Sequence, residues 1–121
     1  MVVDDSPLFR TWLIHSLSAD DRFQVVGYAV NALDAQEKIP LLQPDILTLD
    51  IEMPGMSGID FLKQLLPVHP IPVILVSSLN LRVFDALEAG AVDFVRKPDE
   101  ANGLSKEIFL SMLRSKLLVA A

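Results

Sequence analysis

Polar residues stand where apolar runs stop. Asp4 and Asp5 follow Met1-Val-Val, Asp50 closes Asp45-Ile-Leu-Thr-Leu-Asp50, Ser77 closes Ile71-Pro-Val-Ile-Leu-Val-Ser77, and Lys97 stands just past Val92–Val95. Three carboxylates in one crevice repel each other and raise each other's pKa unless a cation neutralises them. An all-oxygen set of this kind suits Mg²⁺, which takes one or two carboxylates, keeps several waters and often completes its shell with phosphate oxygens. Asp5 and Asp50 are the expected direct ligands, with Asp4 acting through water. The main-chain carbonyl of Glu52 is a further candidate, because the chain is expected to turn sharply after Asp50 toward Met53-Pro54-Gly55. A carboxylate held beside such a cation can attack a phosphoryl group and form an acyl phosphate. Asp50 is the expected nucleophile, and Lys97 would stabilise charge on the equatorial oxygens. Ser77 can donate a hydrogen bond to an incoming phosphoryl oxygen. Pro98 disfavours helix at Lys97 and keeps its backbone extended.

Such convergence needs a fold that ends its strands on one edge. The sequence alternates short β-rich runs with amphipathic stretches. Met1–Val3 predicts a first strand, short for a position at the sheet centre. Ser6 reads as an N-cap with Pro7 at the first helical position, where its missing N–H costs nothing. Leu8, Trp12, Leu13 and Leu17 then recur at helical spacing, predicting a helix to about Ser18. Phe23–Val30 predicts the second strand. Asn31 caps a second helix that Pro40 should kink or end. Asp45–Asp50 is apolar enough for a strand buried on both faces, as in a parallel sheet. A third helix opens at Gly58 and stops before Pro67, Ile71–Ser77 is a fourth strand, and Leu81–Ala89 a fourth helix closed by Gly90. Val92–Val95 is a fifth strand, and the tail from about Gly103 holds a last helix. Five strand–helix units in series imply a parallel sheet covered on both faces. In such a doubly wound sheet, ligands sit beyond the carboxyl ends of the strands.

Bulk properties bound the reading. A length of 121 residues suits one domain, and a chain 51% hydrophobic and 21% charged should form a single substantial core. The absence of cysteine excludes disulfides and thiolate metal sites. A net charge of −6 argues against direct nucleic-acid binding. No apolar run approaches the roughly 20 residues that span a bilayer, and no basic leader is present, so a soluble cytoplasmic domain without membrane insertion is expected.

Taken singly, these residues have structural readings. An Asp pair after a strand is usually an acidic helix start, Ser77 a strand-end cap, and Phe94 a core residue. Lys-Pro alone carries no information. As an ordered set they resemble the receiver domains of two-component response regulators. The resemblance rests on Val-Asp-Asp-Ser (3–6), Leu-Asp-Ile-Glu-Met-Pro-Gly-Met-Ser-Gly (49–58), Ser77, Ala-Gly-Ala (89–91) and Val-Arg-Lys-Pro (95–98), and it covers nearly the whole chain. It implies a flavodoxin-like (CheY-like) doubly wound five-stranded parallel sheet of strand order 2-1-3-4-5. It further implies Asp50 as phospho-acceptor, Asp4 and Asp5 as the acidic pair, Lys97 as the active-site lysine, and Ser77 and Phe94 as the switch pair.

Thr48-Leu-Asp-Ile-Glu-Met-Pro, Val76-Ser-Ser-Leu and Gly90-Ala-Val-Asp-Phe-Val-Arg-Lys-Pro narrow the resemblance to the receiver of the chemotaxis protein-glutamate methylesterases. That family implies a chemotaxis histidine kinase as donor and a C-terminal esterase domain as output. Residues 1–121 would then be the regulatory half, not itself an enzyme, since they hold no G-x-S-x-G elbow. The sequence departs from the pattern at Ser57, where Asp is common, at Pro40 and in the short first strand. Two other readings compete. One is a stand-alone receiver, or one attached to a DNA-binding output. The other is a small Mg²⁺-dependent phosphatase of the haloacid dehalogenase type, which wants its nucleophile on the first strand and a second Asp where Glu52 stands.

Overall fold

A computed structural model of the protein describes residues 1–78, 83–99 and 105–121. Strands β1 (Val2–Val3), β2 (Tyr28–Ala29), β3 (Leu47–Asp50), β4 (Val73–Ser77) and β5 (Asp93–Arg96) alternate with helices α1 (Pro7–Ser18), α2 (Ala32–Leu42), α3 (Gly58–Leu65), α4 (Val83–Glu88) and α5 (Lys106–Ala120). All strand pairs are parallel and the order is β2-β1-β3-β4-β5. This is the doubly wound α/β sheet expected.

Alternation along the strands sorts the core into two layers. Val3, Leu47, Leu49, Val73 and Leu75 pack with Ala35 and Ile39 of α2 and Phe61 and Leu62 of α3. Val2, Ile74, Val76 and Val95 pack with Leu13 and Leu17 of α1 and Phe109, Leu113 and Leu117 of α5. β3 and β4 are buried along their whole length, as a parallel strand covered on both faces must be.

The local start signals hold. Ser6 accepts a hydrogen bond from the Phe9 N–H, with Pro7 in the first turn. Asn31 does the same for Asp34, and Ser57, which was not expected as a cap, does so for Asp60. Ser57, which stands where the family pattern commonly has Asp, is thus the N-cap of α3. Gly90 takes φ +107 after α4, a conformation that favours glycine.

Several boundaries differ from expectation. β2 is two residues long instead of eight, because it pairs only with β1, which offers Val2 and Val3 as partners. β1 is short yet central, bridged on one side to Tyr28 and Ala29 and on the other to Thr48 and Leu49. α2 does not stop at Pro40. It carries that exposed residue in its last turn and ends where Gln43 turns left-handed, at φ 47, donating its N–H to Ile39. In α1 Phe9 is half-buried and packs against the core, whereas Leu8 is 87% exposed. β3 starts at Leu47, β4 at Val73, just after Pro72 (which has no N–H to donate), and β5 runs one residue past Val95. The expected starts of the fourth and last helices, at Leu81 and Gly103, fall outside the described residues.

One contact fixes how the loop after Asp50 returns. Gly58 donates its N–H to the Ile51 carbonyl at 2.7 Å, and a Cβ on Gly58 would strike the Asp50 carbonyl and the Ile51 Cα. In an open helix, alanine would outdo glycine by about 1 kcal/mol. Here backbone cannot give way, so Gly58→Ala should destabilise the fold by about 1–3 kcal/mol. Urea unfolding measures it, and a stabilised variant would show that α3 does not start against the end of β3.

Candidate functional site

The carboxyl edge of the sheet gathers the predicted polar residues. Val2, Thr48 and Val95 lie on the α1/α5 face, and the pleat carries the residues two further on, Asp4, Asp50 and Lys97, toward the same side. Lys97 Nζ lies 3.0 Å from Asp4 Oδ2 and 3.4 Å from Asp50 Oδ2. Asp4 and Asp50 are buried, at 2% and 4% exposure, while Asp5 opens to solvent. Oxygens of all three carboxylates fall within 4.8 Å of one another.

Backbone groups hold the two buried acids. Asp4 Oδ1 accepts the Ser6 N–H at 2.9 Å, and Asp50 Oδ1 accepts the Glu52 N–H at 3.2 Å. Lys97 is held from its own backbone, whose N–H donates to the Ser77 carbonyl at 2.8 Å. The five residues therefore sit on strand ends that are bonded to one another, and a rigid sheet sets their spacing.

One ammonium faces three carboxylates, so two negative charges stay unbalanced when all are ionised. Asp50 bears the consequence. Burial pushes its carboxyl up from the ordinary range to about 7, and the charge of Asp4 adds to the rise; Lys97 and the Glu52 N–H oppose it. A compact, hard-oxygen, anionic cluster with one solvent-facing member is a donor set that fits Mg²⁺. Asp4, Asp5 and Asp50, the expected ligands, are brought together. Glu52 is exposed on the following loop, where its carboxylate accepts a hydrogen bond from Ser78 Oγ at 3.3 Å.

Ser77 is fully buried at the end of β4. In register, Leu75 faces Phe94 and Ser77 faces Arg96, so Ser77 and Phe94 project from neighbouring strands on the α2/α3 face. Phe94 is half-buried and packs against that core layer. A cavity of about 300 Å³, lined by Val2, Phe23, Val26, Pro44, Ile46 and Leu117 among others, lies at the opposite edge of the sheet and includes none of these residues.

Two neighbours of the site escaped the sequence reading. Arg10 donates to the Asp4 carbonyl at 2.9 Å, and the Phe9 ring lies beneath Lys97 Nζ, 4.5 Å from its centroid. Both stand on the first turn of α1, four and five residues after Asp5, a spacing that returns them to the strand end.

Comparison with known proteins bears on the family and the fold. The family model for the response regulator receiver domain matches residues 1–109. A protein-glutamate methylesterase/protein-glutamine glutaminase of Syntrophomonas wolfei is 47% identical over the whole chain, which spans 36% of that relative. A relative of the same name from Syntrophotalea carbinolica is 48% identical, and the chain again covers only 35% of it. The response regulator domain of Thermotoga maritima CheB superposes with a TM-score of 0.89 at 39% identity, over 98% of this chain and 92% of that one. The signal receiver domain of a Mycobacterium tuberculosis response regulator, NarL, superposes at 0.76 with 33% identity, over 95% and 92%.

Proposed function

The chain belongs to the response regulator receiver domain family, and we propose on that premise that Asp50 accepts a phosphoryl group from a histidine kinase and that the charge event switches an output. The observation that carries the reading is the cluster of Asp4, Asp5 and Asp50 bridged by Lys97 across the strand ends.

An Asp50 carboxylate oxygen attacks phosphorus, the bond from phosphorus to the donor's histidine nitrogen breaks, and an acyl phosphate forms. Asp5, Asp50 and the main-chain carbonyl of Glu52, with Asp4 acting through water, would hold a divalent cation, which would neutralise charge at the phosphoryl oxygens. Lys97 pairs with one of those oxygens, a role supported by its distance of 3.4 Å from Asp50 Oδ2. The Glu52 N–H holds the other Asp50 oxygen and so orients the carboxylate. Ser77 donates its hydroxyl hydrogen to a phosphoryl oxygen, and its displacement leaves room into which Phe94 rotates.

The output is a methylesterase domain of the kind named in the relatives, so residues 1–121 serve as the regulatory portion of a chemotaxis enzyme and are not catalytic themselves. The chain's span of about a third of those relatives supports this arrangement. The coding sequence after Ala121 separates it from a receiver that acts alone. Incubation with a small acyl-phosphate donor, with and without Mg²⁺, followed by mass mapping, tests the acceptor; the added phosphoryl group is expected on Asp50 only, and only with Mg²⁺.

The switch has its own test. Ser77→Ala should still accept the phosphoryl group but lose the coupling to Phe94. NMR shifts along β5 are compared with and without beryllofluoride as an acyl-phosphate mimic. Equal shifts in wild type and Ser77→Ala would show that the hydroxyl carries no signal.

A further inference from the structure

We propose that Phe9 is a positioning residue for Lys97, its ring face holding the ammonium over the acidic cluster in the place where it meets the phosphoryl group. The proposal rests on the roles given above to Lys97 and Asp50. A lysine ammonium is a point charge on a flexible four-carbon stem, with no planar fork to fix its direction. Two carboxylates alone define an arc, not a point. The third contact is the Phe9 ring, with Lys97 Nζ 4.5 Å from its centroid, inside the range where the negative face of an aromatic ring attracts a cation.

The ring is itself held. Phe9 lies 5.6 Å from Trp12 and 5.8 Å from Phe109, the latter edge-on at 66°, and Trp12 lies 5.9 Å from Phe109. Phe109 is fully buried in α5, so the aromatic group is anchored on two helices. Lys97 thus has an apolar, electron-rich floor that keeps it low over Asp4 and Asp50. Leucine would fill similar space with no negative face, and the ammonium would lose that direction of restraint.

The test uses Phe9→Leu and Phe9→Tyr. In the wild type, ring current should shift the Lys97 ε-methylene protons upfield in a carbon–proton correlation spectrum. Phe9→Leu should return them to the ordinary lysine position, and Phe9→Tyr should keep them upfield. With an acyl-phosphate donor and Mg²⁺, Phe9→Leu should lower the maximal phosphorylation rate about three- to tenfold, as loss of a partly desolvated cation–π contact implies. The donor concentration for half-maximal rate should stay unchanged, and Phe9→Tyr should recover the wild-type rate. Lys97 protons at the ordinary position in the wild type overturn the contact. An unaltered rate in Phe9→Leu, or no recovery in Phe9→Tyr, overturns the positioning role. If the wild type takes no phosphoryl group on Asp50, the acceptor assignment fails, and the positioning role falls with it; the spectrum then still reports whether the ring contact exists. Thermal unfolding reports whether Phe9→Leu is folded, and Phe9→Met makes the same comparison if it is not.

Discussion

Asp50→Asn should take up no phosphoryl group from any donor, and above pH 7 it should unfold at a higher temperature than the wild type without metal. Asparagine keeps the shape of the side chain and an oxygen for the Glu52 N–H, but it offers no carboxylate oxygen for attack on phosphorus. The stability gain follows from the raised pKa of Asp50, which reaches about 7, first through burial and then through Asp4. The native state binds a proton at Asp50 more tightly than the unfolded chain does. Stability from this group is therefore fully present below the ordinary carboxylate range and is lost as pH rises through about 7. Each tenfold gain in proton affinity corresponds to about 1.4 kcal/mol, so the wild type should lose a few kcal/mol across that window. The variant skips that loss but weakens the bond to Lys97, leaving an expected net gain of about 1–2 kcal/mol at pH 8 and none near pH 4. Thermal unfolding of both proteins across pH 4–8 checks the sign. A variant less stable than the wild type at pH 8 would mean that Lys97 compensates Asp50 fully.

Mg²⁺ should stabilise the wild type by mass action, by about 2.7 kcal/mol when its concentration is a hundred times the dissociation constant. The effect should be largest above pH 7 and fade below it, because proton and metal compete for the Asp50 carboxylate. Asp5→Ala should abolish the rise. It is the cleaner variant of the two, since Asp5 is exposed and its side chain meets only Asp50 and Asp4 within the acidic cluster. Asp4→Ala should weaken the rise less, but it also strips Lys97 of its 3.0 Å partner, so its melting temperature without metal must be measured alongside. Melting curves in Mg²⁺ and in a chelator decide the matter. A wild type that melts at one temperature in both would remove the acidic cluster as a cation site.

Much of the molecule follows from features that act within a few residues. Ser6-Pro7, Asn31 and Ser57 start helices because a side-chain oxygen meets an N–H three residues on, an encounter that needs no distant partner. The apolar runs of β3 and β4 demand burial on both faces, which leads to a parallel sheet with helices on each side. The polar residues at the ends of those runs then have to share one edge, which is why Asp4, Asp5, Asp50, Ser77 and Lys97 stand out in the sequence alone.

Distances and extents depended on partners remote in the chain. β2 is short because β1 is short, not because Phe23–Val26 lack strand character. Leu8 and Phe9 are both apolar in the first turn of α1, and only the placement of α1 against α5 sends Leu8 to solvent and Phe9 beneath Lys97. The elevated pKa of Asp50 needs the depth of its burial and the proximity of Asp4, which no residue spacing contains. Residue type and local order determined which groups this protein has to work with. Strand register and the pleat determined which of them meet, since a shift of one residue would have turned Lys97 to the other face of the sheet.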